Sequence, residues 1–322
     1  MNKKLGFMIA SVLTAVPAAN ITAGICLFNT AVARSKASLE QTQGMSGVNW
    51  GAYAERIGDM EIALSETRTD EFYIRSRDGL RLYGQYFKGE DKGNGRVKRI
   101  AICFHGYTGF GGGNNSAAAE FFLKNGFDVL LPDARAHGQS EGEYIGFGCL
   151  DRYDGLEWIK FLQNKYRMED REGRLEIYLY GVSMGGATVC MMSGLDLPGC
   201  VKAIISDCAF TSPEAMFELV LKNKYHLPPA PVMMVANLVC QKYAGYTFNK
   251  CSSAKAVRRA KVPMLFIHGS GDTFIPESMC HTIYENCASE KDILIIDGAV
   301  HAESYYKDRE TYENKLREFL KL

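Results

Sequence analysis

Six short apolar runs punctuate the chain between Arg99 and Gly298: RIAICFHG, DVLLPD, LEIYLYG, VKAIISD, VPMLFIHG and DILIIDG. None alternates strictly between polar and apolar residues, which marks strands buried on both faces, as in a parallel sheet covered by helices. Segments of helical period separate them, over Ala117–Lys124, Tyr153–Tyr166, Gly185–Ser193 and Glu277–Asn286, with a last one over Arg309–Leu320. Upstream, EFYIRS and LRLYGQYF flank Arg77-Asp78-Gly79, an Asp-Gly turn signal that makes them a hairpin. Strands alternating with helices predict an α/β fold: a mostly parallel, eight-stranded, doubly wound sheet with helices on both faces and the hairpin at one edge.

The alternation breaks once. About fifty residues without a strand pattern separate Asp207 from Val262. Helical patterns over Pro213–Asn223 and Pro231–Tyr243 make this an inserted helical cap, about residues 211–258, above the carboxyl ends of the strands. Those ends are where open α/β sheets bind ligands. The expected organisation is an amino-terminal segment over 1–34, a linker with a short amphipathic helix (about Ala54–Glu66) over 35–70, and the main domain over 71–322.

Hydrophobic residues make up 47% of the chain and charged residues 23%, a balance that excludes wholesale disorder. Thirty-seven basic residues offset 37 acidic ones, so the charge surplus of a nucleic-acid binder is missing. The ten cysteines form no C-x-x-C pair, and several lie within apolar runs, as Cys103 does. They read as small buried thiols rather than a zinc site or a disulfide framework, a usage that suits a reducing compartment.

Lys3 and Lys4 precede 29 uncharged residues, Leu5 to Ala33. That length suffices to span a bilayer, which needs ~20 residues, so the segment is expected to be a single-pass membrane anchor with the membrane as its partner. Pro17 and six hydroxyl or amide side chains dilute it. Ala31-Val32-Ala33 supplies the alternative, a secretory signal cleaved near Ala33.

Gly181-Val182-Ser183-Met184-Gly185 is G-x-S-x-G, directly after one strand and opening a helix. This strand-to-helix turn is so sharp that only small residues fit two places either side of the serine, whose Oγ then stands exposed above the sheet. A serine needs a base. Of six histidines, His226 sits in the cap and His281 in a helix, His105 and His268 end strands where they brace loops, and His137 lies in a loop. Only His301 follows both a plausible acid and the last strand. Asp272, just past the seventh strand, is the expected acid, with Asp207 at the end of the sixth its rival and the more natural cap of the inserted helices. Met184, after the serine, and Tyr107, in the loop after the third strand, are the expected oxyanion N–H donors. Gly109 and Gly111–Gly113 would let that loop approach a substrate, while Gly109-x-Gly111-x-x-Asn114 lacks the third glycine of a dinucleotide fingerprint.

HGYTG, DARAHGQSEG, GVSMGG, HGSGDTFIP and GAVHAES occur in the order and spacing of the α/β-hydrolase superfamily, which the chain resembles from about Glu71 to its end. It is most similar to the bacterial serine-hydrolase branch that is serine aminopeptidase-like or monoacylglycerol-lipase-like. The resemblance implies Ser183 as nucleophile, His301 as base, Asp272 as acid, and Tyr107 and Met184 at the oxyanion, with no metal or organic cofactor. It makes Asp133 and His137 structural. Dehalogenases and epoxide hydrolases carry aspartate where this chain has Ser183. The expected reaction is transfer of an acyl group from a small-molecule substrate to water. A peptidase acting on short peptides and a non-catalytic binding protein on the same scaffold are the competing classes. The apolar cap segment PPAPVMMVANLV tilts the choice toward a carboxylic ester.

Overall fold

A computed structural model describes residues 18–34, 50–90, 97–109, 115–169 and 174–322. In chain order its helices are α1 (Ala18–Ala31), α2 (Ala54–Thr67), α3 (Ser116–Lys124), α4 (Asp151–Glu169), α5 (Met184–Ser193), α6 (Pro213–Asn223), α7 (Pro229–Tyr243), α8 (Ser253–Ala256), α9 (Glu277–Asn286), α10 (Ser304–Lys307) and α11 (Arg309–Leu320). The strands are β1 (Arg68–Arg75), β2 (Arg81–Phe87), β3 (Val97–Phe104), β4 (Asp128–Pro132), β5 (Arg174–Val182), β6 (Val201–Asp207), β7 (Met264–Gly269) and β8 (Lys291–Ile296). They form one sheet in the order β1-β2-β4-β3-β5-β6-β7-β8. β1 and β2 run antiparallel at the edge, and every pair from β4 to β8 is parallel. The expected α/β architecture, with its eight strands, edge hairpin and inserted cap, is the one observed.

Strand residues alternate between two buried layers. Ile100, Ile102, Leu130, Ile177 and Leu179 join the core shared with Trp158 and the cap. Ala101, Cys103, Val129, Leu131, Tyr178 and Tyr180 join the opposite core, with Phe121, Phe122 and Leu316. Both faces are covered, which is why the runs carry so few polar residues. The linker helix belongs to the second layer too: Leu64 of α2 is part of that core.

The cap between β6 and β7 comprises α6 and α7. Ser212 starts α6 by accepting from the Ala215 N–H at 3.1 Å, so the capping role expected of Asp207 falls to Ser212. The two ends of the insert meet at Thr211, whose carbonyl accepts from Ser252 Oγ at 2.9 Å and from the Ala254 N–H at 3.3 Å.

The expected membrane anchor over Leu5–Ala33, and the membrane location built on it, is overturned. Among the described residues no helix is long and apolar enough to cross a membrane. Residues 5–17 lie outside those described. The described part of α1 covers Ala18–Ala31. Gly24, Leu27 and Phe28 are buried against protein, while Ile25 is 41% exposed. A Cβ on Gly24 would lie 2.6 Å from Val235 Cβ of α7, so the two helices touch backbone to side chain. Phe28 packs between Tyr144 and Tyr243, with ring centroids 5.4 and 6.1 Å away.

The residues of the alternative cleavage site near Ala33 pack against the body. Val32 is fully buried, Ala33 bridges to Tyr144, and the Arg34 guanidinium donates to the carbonyls of Gly138 (2.8 Å) and Ser140 (2.7 Å). The residues read as a cleavage site are woven into the body. Residues 35–49 of the expected linker lie outside the described residues.

One cysteine pair departs from the expectation of free thiols. Cys149, before α4, and Cys251, at the end of the cap, form a disulfide. Their separation of 102 residues left no trace in local sequence. Cys103, Cys190, Cys208, Cys240, Cys280 and Cys287 are the buried thiols expected.

Candidate active site

Ser183 stands between β5 and α5 with φ 56° and ψ −114°, a backbone region that non-glycine residues rarely occupy. The neighbours explain how the turn is held. A Cβ on Gly181 would sit 2.2 Å from the Gly185 carbonyl oxygen, and one on Gly185 would sit 2.0 Å from that of Phe104. Only hydrogen fits at either place, which is the steric content of G-x-S-x-G. The Ser183 N–H donates to the Asp207 carbonyl at 2.8 Å, tying the turn to β6.

The structure brings three of the sequence-predicted residues into one hydrogen-bonded line. Ser183 Oγ lies 2.8 Å from His301 Nε2, and His301 Nδ1 lies 2.7 Å from Asp272 Oδ2. With Nδ1 donating to the carboxylate, Nε2 is left to accept the serine proton. The Phe274 ring meets the His301 imidazole edge to face, with centroids 5.0 Å apart. Asp272 is itself fixed on both oxygens. Oδ1 accepts from the N–H groups of Phe274 (2.9 Å) and Ile275 (2.8 Å), and Oδ2 also faces His268 Nε2 at 3.3 Å. Burial alone would raise this carboxyl; the nearby His301 and the bonds from His268 and His301 outweigh it and bring its pKa down to about 2.

Asp207 is not in that line. Its Oδ2 accepts from the Tyr312 hydroxyl at 2.8 Å, and Tyr312 in turn meets Tyr180 at 3.1 Å. Burial dominates there and lifts the Asp207 pKa to about 6, against the opposing bond from Tyr312.

The two expected oxyanion residues flank the serine. Met184 is the first residue of α5, where a helical N–H has no carbonyl partner in a preceding turn. Tyr107 lies in the turn closed by Gly109 N–H donating to the Gly106 carbonyl at 3.2 Å, and a Cβ on Gly106 would be 3.5 Å from Ser183 Cβ. Gly111–Gly113, expected to shape the same loop, lie outside the described residues.

His105 braces this turn, as its place at a strand end suggested. Its Nδ1 donates to the Gly106 carbonyl at 2.7 Å and its Nε2 accepts from the Ala134 N–H at 2.9 Å. Burial lowers its pKa to about 4, so it stays neutral. His137 likewise donates from Nδ1 to the Arg135 carbonyl at 2.9 Å, away from Ser183.

Ser183 opens into a cavity of about 710 Å³. Tyr107, Met184, Phe147 and Phe274 line it beside the serine, and Met216 and Phe217 come from the cap. Sequence reasoning missed two contributors: Phe147, from the loop ahead of α4, and Leu27, Thr30 and Ala31 of α1. The apolar character of α1 was visible, but an apolar helix that lines a cavity and one that faces lipid share the same composition. Among the described residues no cluster of His, Cys, Asp and Glu could hold a metal ion.

Two family models match the chain: the alpha/beta hydrolase fold over residues 102–230 and a serine hydrolase (FSH1) model over 193–301. YqkD of Bacillus subtilis (strain 168), an uncharacterized protein, is 30% identical over 249 residues, covering 77% of this chain and 78% of YqkD. Among solved structures, the Pyrococcus furiosus esterase Pf2001 superposes with a TM-score of 0.62 at 22% identity, covering 78% of this chain and 90% of that one. Est1E from Butyrivibrio proteoclasticus, with ferulic acid bound, gives 0.57 at 19%, covering 77% and 97%.

Proposed function

This chain belongs to the α/β-hydrolase superfamily and is a hydrolytic enzyme of the serine hydrolase kind, and we propose that it cleaves a carboxylic ester through an acyl-enzyme on Ser183. The observation that carries the reading is the line Ser183–His301–Asp272 at the foot of an apolar cavity. In the first half-reaction Ser183 Oγ attacks the ester carbonyl while His301 Nε2 takes its proton. The N–H groups of Tyr107 and Met184 hold the oxyanion. His301 then returns the proton to the departing alcohol, leaving an acyl-serine. Water, deprotonated by the same nitrogen, attacks that acyl group and frees the acid. Asp272 stays ionised throughout, holds the imidazole in the tautomer that exposes Nε2, and stabilises the imidazolium.

The ester preference rests on the lining. Among the described residues that wall the cavity there is no carboxylate, so a free peptide amine finds no counter-charge, whereas the aromatic and aliphatic walls suit an apolar acyl or alcohol group. The fold-related P. furiosus protein Pf2001 is an esterase, which agrees with this choice.

A fluorophosphonate probe is expected to label Ser183, and Ser183→Ala to abolish labelling and lower ester turnover by about 10⁴–10⁶-fold. A panel of p-nitrophenyl esters beside aminoacyl p-nitroanilides separates the chemistries. Undiminished ester turnover in Ser183→Ala would refute the assignment, and faster cleavage of the anilides would move it to a peptidase.

A further inference from the structure

α1 reaches the site from the far end of the chain. Leu27, Thr30 and Ala31 lie on the wall of the cavity that holds Ser183. They are not loosely placed. The helix is held against α7 of the cap by the close approach of Gly24 to Val235, and Phe28, only 3% exposed, fills the space between Tyr144 and Tyr243. Past its end, the Ile145 N–H donates to the Val32 carbonyl at 2.7 Å and the Arg34 N–H to the Glu143 carbonyl at 2.6 Å, so the strap after the helix pairs with the loop that carries Phe147. α1 also touches the turn beside the serine, since the Tyr107 hydroxyl donates to the Thr30 carbonyl at 3.3 Å. One face of α1 therefore packs on the cap, its carboxyl end is fastened to the body, and Leu27, Thr30 and Ala31 meet the cavity.

We infer that residues 18–34 are a specificity element of this enzyme: Leu27 and Ala31 form a wall that sets the length of apolar chain the cavity admits. The inference rests on the ester-hydrolase reading above. A wall built from two small or medium aliphatic side chains is a length stop, because substrate methylenes end where those side chains begin. In a hydrophobic pocket one methylene too many or too few changes selectivity by roughly 10-fold or more. The substrate class is accordingly an ester whose apolar part extends from Ser183 toward α1, with the cap helix α6 as the facing wall.

The test uses the full chain and two opposed substitutions. Ala31→Phe shortens the cavity and Leu27→Ala lengthens it. Inactivation rates with alkyl fluorophosphonates bearing ethyl, hexyl and dodecyl chains read the cavity at Ser183 directly, and p-nitrophenyl acetate, hexanoate and dodecanoate read turnover. Ala31→Phe is expected to lower the dodecyl-to-ethyl rate ratio about tenfold or more, with the ethyl rate little changed, and Leu27→Ala to raise that ratio. Opposite shifts in two variants cannot come from general loss of fold, which would lower all rates together. The inference is overturned if both variants keep the parent's ratio, or if both lower every rate in common. If the parent itself shows no labelling at Ser183, the hydrolase reading fails and this inference with it, an outcome distinct from an unchanged ratio in a labelled parent.

Discussion

Asp272 and Asp207 sit at the carboxyl ends of adjacent strands, and their surroundings drive them in opposite directions. Asp272 accepts from two backbone N–H groups and from two histidines, so its carboxyl stays charged despite burial, with a pKa of about 2. Asp207 is buried with a tyrosine hydroxyl for support and rises to about 6. Asp272→Asn is expected to lower kcat by about 10³-fold or more with the fold retained, since an amide cannot hold the required tautomer. Asp207→Asn should leave the rate within a few-fold of the parent, as kinetics on a p-nitrophenyl ester will check.

Stability should divide in the same way. A lowered carboxyl pKa contributes stability above the unfolded value of about 3.9, lost as pH falls toward 2; a raised one contributes below about 3.9, lost as pH rises through 6. Urea midpoints from pH 3 to 7 should show the parent losing about 1–3 kcal/mol more between pH 4 and 6 than Asp207→Asn does, the remainder of the loss belonging to Asp154, whose carboxyl burial also raises to about 6. Ser183 was legible because G-x-S-x-G has a steric reason, and His301 because it alone follows both a plausible acid and the last strand. The choice of acid was less so: the donors from Phe274 and Ile275 are local, but Tyr312 is 105 residues from Asp207 and nothing in the intervening chain announces it.

At the scale of elements, boundaries carried by local chemistry were legible. α6 runs over Pro213–Asn223 as expected, because Ser212 caps it and proline suits its first turn. α7 begins at Pro229 rather than Pro231, its first turn tolerating a second proline. β1 begins at Arg68, ahead of the EFYIRS run, because its pairing with β2 extends to Phe87. What failed was the meaning of an apolar helix whose partner is distant in sequence. α1 is apolar because it meets α7 and the cavity, whose other walls begin at Tyr107, 77 residues beyond Thr30.

The Cys149–Cys251 bond belongs to the same class of long-range facts. It closes 102 residues between the body and the end of the cap. Replacing both cysteines with serine is expected to lower unfolding free energy by about 2–4 kcal/mol, measured by urea denaturation under non-reducing conditions. An unchanged midpoint would show that the bond contributes nothing to stability.

Taken as a whole, the molecule is held at its site by chain that precedes the sheet. α1 walls the cavity, while the segment before α2 reaches the histidine loop: the Tyr53 hydroxyl donates to Glu303 Oε1 at 2.7 Å, and Glu303 Oε2 accepts the Val300 N–H at 2.8 Å. The cap is attached differently. Thr211, Ser252 and Ala254 bring its two ends together, so the sheet meets the insert as two neighbouring stumps whatever lies between them. Closing a flexible loop costs only about 0.6 kcal/mol more when its length doubles. The spacing of Ser183, His301 and Asp272 is set below that neck, by β5, β7 and the loop after β8. Changing Met216 or Phe217 therefore reshapes the roof of the cavity while the chemical groups keep their own supports in the sheet below.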